Sequence, residues 1–138
     1  MKRLKWLIAI TITAITLAGC SSDGEVIRVG VPYQEDETSG IKFHTDITDA
    51  ESITDLRDII NTEKEMEQPA DLTGLADTFF TLDIPEEGVS LIQRYIWYRE
   101  DGSALLTREE LKNNEAGNKD VYILAPEQAD ELKRILEE

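Results

Sequence analysis

The run Val89 to Arg99, VSLIQRYIWYR, restricts the possible folds of this chain more than any other segment. β-Branched and aromatic residues at that density favour a half-buried extended strand. Asp101-Gly102 follows one residue later, the pair favoured in a two-residue type I′ hairpin turn. Ala104 to Thr107 then reads as the return strand. A long strand folded back on a short one calls for an antiparallel sheet, and the remaining elements have to be compatible with it.

Upstream, Val26, Ile27, Val29 and Val31 form a first strand, with Pro32 confining its end to an edge or a terminus. Gln34 to Gly40, QEDETSG, reads as an acidic turn or loop. Ile41, Phe43, Thr45 and Ile47 alternate with Lys42, His44 and Asp46, the period-two pattern of a strand with one apolar face. Thr48 and Glu51 have capping-box spacing, and Ile53, Leu56, Ile59 and Ile60 follow at helical intervals. The spacing predicts a helix from Asp49 to about Met66, with Glu63 and Lys64 on its polar side. Gln68 to Ala76 is a loop, Asp77 to Ile84 a strand and Pro85 to Gly88 a turn. Leu111 to Lys119 is a polar loop and Val121 to Leu124 a short strand. Pro126 opens a second helix whose apolar face is Ala129, Leu132, Ile135 and Leu136. The order β-β-α-β-β-β-β-α indicates an α+β domain: a single antiparallel β-sheet with two helices packed on one face.

The amino terminus carries different information. Lys2, Arg3 and Lys5 precede twelve uncharged residues, Trp6 to Leu17. That is short of the roughly 20 apolar residues a spanning helix needs and matches a secretory signal core. Leu17-Ala18-Gly19-Cys20 follows and resembles the lipobox of bacterial lipoproteins. The resemblance implies that residues 1–19 are a cleaved signal peptide and that Cys20 carries a thioether-linked diacylglycerol. Residues 20–25 would then be a lipidated tether and 26–138 the single domain. Cys20 is the only cysteine, so an intramolecular disulfide is excluded.

Charge limits the partners. The chain has 29 acidic and 14 basic residues, a net charge of −15, and losing Lys2, Arg3 and Lys5 with the signal would leave −18. Such a surface does not hold nucleic acid by its phosphates and is repelled by anionic headgroups. Membrane attachment is therefore expected through acyl chains at the outer face of the cytoplasmic membrane. Envelope proteins or cell-wall material are the expected neighbours.

No catalytic constellation stands out. His44, the only histidine, alternates with apolar residues and so faces solvent, with Asp46 two positions on. Neither a G-x-S-x-G nor an S-x-x-K motif is present. Glu35, Asp36 and Glu37, and the set Asn113, Glu115, Asn118 and Asp120, lack the spacing of a calcium loop. No enzyme activity, metal or cofactor is expected. A small hydrolase using acidic residues and an acidic calcium-responsive surface are the alternatives. Tyr95, Trp97 and Tyr98, together with Phe79 and Phe80, are the remaining candidates, with Tyr95 and Trp97 sharing one face of their strand. Either that face is core, with Trp97 under a helix, or the two form an exposed strip for sugars or peptides.

From Ile47 to Leu136 the pattern is also informative. It comprises Ile-Thr-Asp-Ala-Glu opening a helix, then Leu56, Ile59 and Ile60, an aromatic strand with Tyr95 and Trp97, and Asp-Gly. Val121-Tyr122-Ile123-Leu124 and a closing helix ending Arg134-Ile135-Leu136 complete it. This order resembles the YhfM-like domain of small Bacillus-type lipoproteins and differs from it in the insert Leu111 to Asp120. The resemblance implies an α+β fold and an extracytoplasmic location, and it assigns no catalytic residue.

Overall fold

A computed structural model describes residues 24–72, 74–111 and 120–137. The signal segment, Cys20, most of the tether and Asn113, Glu115 and Asn118 lie outside them. The strands are β1 (Val26–Glu35), β2 (Thr38–Ile47), β3 (Lys64–Met66), β4 (Thr78–Ile84), β5 (Val89–Tyr98), β6 (Ala104–Thr107) and β7 (Val121–Leu124). The helices are α1 (Ala50–Ile60), between β2 and β3, and α2 (Pro126–Leu136), at the end. All seven strands form one antiparallel sheet in the order β2-β1-β4-β5-β6-β7-β3. The fold is α+β.

Local chemistry moves several expected boundaries. Of residues 34–40 only 36 and 37 form the turn, because β1 and β2 stay paired out to Glu35 and Thr38. Asp36 makes the turn at φ 53°, a left-handed conformation that aspartate tolerates. The paired backbone in this arm satisfies groups that would otherwise rely on water. Pro32 is tolerated because β4 pairs with β1 only from Val26 to Gly30, which leaves the outer half of β1 bonded on one side.

The cap of α1 is Asp49, one residue beyond the expected Thr48. Its Oδ2 accepts from the Ser52 backbone N–H and from the Ser52 hydroxyl, both at 3.0 Å. The helix stops at Ile60, six residues before the expected end. Its apolar stripe is exhausted there, and the Thr62 hydroxyl donates to the Ile59 carbonyl at 2.7 Å, an alternative to continued helix. Lys64–Met66 then pairs with β7 as an edge strand. Glu63 is not on a solvated helix face. Its carboxylate accepts two bonds from the Arg94 guanidinium, at 3.1 and 2.6 Å, with both side chains more than nine-tenths buried. The bidentate geometry offsets the desolvation of both ions.

The β5–β6 hairpin also differs from its expected form. The Arg99 N–H donates to the Ser103 carbonyl, and Gly102 adopts φ 92°. The loop is therefore three residues long with glycine at the left-handed position, because Asp101 does not take the positive φ that a type I′ turn requires.

Two clusters of buried side chains result. The larger joins Ile27, Val29, Phe80, Leu82, Ile96 and Leu106 of the sheet to Leu56 and Ile59 of α1 and Leu132 and Ile135 of α2. The smaller holds Leu72, Ala76, Trp97, Leu105 and Val121. All four residues of β6 are buried, so the sheet is covered on both sides there.

Candidate binding face

The feature that organises the site is an irregularity between β1 and β2. The register shifts between Val29 and Gly30, so that Val29 faces Thr45 while Gly30 faces Phe43, and His44 is the extra residue. A β-bulge of this kind reverses the side-chain alternation beyond it. Ile47 is buried in the large cluster, whereas Phe43 is 39% exposed. The expectation that Ile41, Phe43, Thr45 and Ile47 share one buried face is corrected by this shift.

Gly30 makes the approach possible. A Cβ at this position would lie 2.7 Å from the Ile41 side chain and 2.8 Å from the Lys42 carbonyl oxygen. The ladder partners Phe43, Gly30, Phe79 and Tyr95 fall in line across four strands. The missing Gly30 side chain lets Phe43 meet Phe79 edge-on, with centroids 6.1 Å apart, and Phe79 contacts Tyr95 at 4.6 Å. These are favourable aromatic geometries. The Arg28 guanidinium lies 4.6 Å from the Phe43 ring centroid, within cation–π range.

Beside this aromatic row runs a polar one. Asp46, Arg28, Thr81 and Gln93 are ladder partners, and Arg28 Nε lies 3.7 Å from Asp46. Next to them Asp83 accepts from the Thr81 hydroxyl at 3.0 Å and the Ser90 hydroxyl at 2.6 Å. Arg28, Asp46, Asp83 and Ser90 line an open cleft of about 390 Å³ with Val26, Pro85, Gly88 and Val89. At the other end of the row, burial and then the nearby Glu110 carboxylate push the Tyr95 phenol above its ordinary value. Tyr95 thus remains a hydrogen-bond donor at neutral pH.

The expected aromatic pair is only half present. Tyr95 belongs to the row, but Trp97 is 7% exposed among Leu72, Ala76, Leu105 and Val121. It is core, beneath the connection between β3 and β4 and not beneath a helix. Phe79, also among the candidate aromatics, joins the row, whereas Phe43 was not singled out by sequence reasoning. The available signal was the glycine within the apolar β1 run, a mark of a bulge or close backbone approach.

His44 is exposed as expected, its Nδ1 2.7 Å from the Thr45 hydroxyl. The bulge separates it from Asp46: His44 opens onto a cleft with Thr78, Tyr98, Leu136 and Glu137, and Asp46 onto the one described above. Among the described residues no three or more His, Cys, Asp or Glu side chains are grouped to hold a metal ion. Also among them, no helix is long and apolar enough to cross a membrane. Comparison of the chain with protein-family models, curated proteins and solved structures returns no match.

Proposed function

We propose that this protein is a non-enzymatic binding module, anchored by a diacylglycerol on Cys20 at the outer face of the cytoplasmic membrane. Its interaction surface is built on the exposed Phe43 and the half-buried Tyr95, held in line by the buried Phe79 between them, and its partners are envelope proteins or cell-wall material. The anchor reading rests on the charged n-region, the twelve-residue apolar core and Leu17-Ala18-Gly19-Cys20. The resemblance of residues 47–136 to the YhfM-like domain belongs with the same assignment. Both helices are inferred to lie on one face of the sheet, since side chains of α1 and α2 share a cluster with Ile27, Phe80 and Ile96. The aromatic row then lies on the opposite face.

The observation that carries the reading is the row itself. Phe43 is held 39% exposed by a bulge and a glycine that cost β-sheet regularity. Val89, 43% exposed, lines the adjoining cleft and adds apolar surface there. Two experiments test it. Membrane fractionation of the natural product should find the Cys20→Ser variant in the soluble fraction; retention in the membrane would refute the anchor. A photo-cross-linking amino acid at position 43 should capture a discrete envelope component in living cells, whereas one at exposed Glu51 should not. Identical capture at both positions would eliminate the row as the surface.

A further inference from the structure

We propose that the occupant of this face is a basic, extended peptide segment of a partner protein. The inference rests on the reading of the aromatic row as the interaction surface and adds the chemical class of what binds there.

Charge and dimensions carry it. Beside the row lie Asp46, Asp83 and, next to Tyr95, Glu110, and among the described residues lining the adjoining cleft the cation is Arg28, whose ion pair with Asp46 is long and exposed. Asp83 is oriented by two neutral hydroxyls and has no cation within ion-pair distance among the described residues. Its carboxylate is thus held in position, and no cation of the described residues pairs with it. A neutral sugar would stack on Phe43 but leave Asp83 and Glu110 uncompensated, and an anionic wall polymer would be repelled. Lysine and arginine side chains meet both demands. Their methylenes lie along aromatic surface while the charged heads reach the flanking carboxylates, and the rings themselves attract cations. The row crosses four strands, about 14 Å at the usual strand spacing and about the length of four extended residues. The whole chain, at −15, would draw such a segment in by long-range attraction.

The test uses the full chain in neutral detergent micelles and fluorescein-labelled octapeptides that alternate leucine with lysine, glutamate or serine. Fluorescence anisotropy is expected to show binding of the lysine peptide alone, weakened by raising salt from about 20 to about 200 mM. Phe43→Ala and Asp83→Asn should each weaken it about tenfold, and Glu51→Gln, on α1, should leave it unchanged. Equal losses from Asp83→Asn and Glu51→Gln would mean diffuse attraction to an acidic protein and would overturn the inference. So would binding of the serine peptide that depends on Phe43 and not on Asp83, or competition by a neutral oligosaccharide. No binding of any peptide, with capture at position 43 intact, would overturn the basic class and leave the surface standing. Failure of both would remove the surface as well.

Discussion

The two buried clusters differ in what covers them. The larger is closed by two amphipathic helices, each delivering an apolar residue every third or fourth position, so side chains such as Leu56 and Leu132 are fully sealed. The smaller is closed by the irregular connection between β3 and β4, which among the described residues buries Leu72 and Ala76 in it. The weaker cover has a visible cost: Trp97 Nε1 and Gln68 Oε1 are buried without a hydrogen-bond partner among the described residues. It also reaches only part of the sheet. Where it ends, Tyr95 is half-buried and Phe43 exposed. Helices seal the side chains of their cluster because their period matches a stripe, and the irregular strap leaves Phe43 exposed.

This contrast has measurable consequences, the largest in the helical cluster. Leu132→Ala should lower the unfolding free energy by about 4 kcal/mol in urea titration, and Leu72→Ala by nearer about 2 kcal/mol, within the range for cavity-forming substitutions. Equal losses would mean that the strap packs as tightly as a helix. A second effect appears in alkali. Burial, followed by Glu137 and Asp77, pushes the Tyr98 phenol up to about 12. The folded state therefore holds this proton more tightly than the unfolded chain, whose tyrosines titrate near 10. The associated stabilisation is complete below pH 10 and is lost as pH rises from there to about 12. Tyr98→Phe should flatten that decline, measured as the pH dependence of the urea midpoint relative to the parent. An unchanged slope would place Tyr98 in water. The smallest effect belongs to the open row: Phe43→Ala should change stability by only about 1 kcal/mol or less while weakening binding of the lysine peptide about tenfold. A loss comparable to that of Leu132→Ala would make Phe43 a core residue and weaken the contrast.

Much of the fold was legible because side-chain periodicity reports local geometry directly. The β5 run, the β6 return, β4, β7 and α2 lie where their patterns predict them. The misplaced boundaries share a cause. Residues 34–40 are polar, yet pairing across the β1–β2 arm extends both strands through them. Lys64–Met66 has no strand signature and is extended only because β7 lies beside it. Glu63 looked solvated because its partner, Arg94, is 31 residues away.

The chain's own order of residues determined that strands and helices would form, where most of them run, and that Tyr95 and Trp97 would lie on the same side of β5. It also determined the strong negative charge on which any partner's chemistry depends. Only tertiary structure decided that Trp97 is covered and Tyr95 is not, and that Phe43 turns away from the core to join the row. Period two assigns neighbouring side chains to opposite faces without specifying which face gains a lid. That outcome depends on one register shift at Gly30 and on the path of the β3–β4 connection, both set by contacts between residues far apart in the chain.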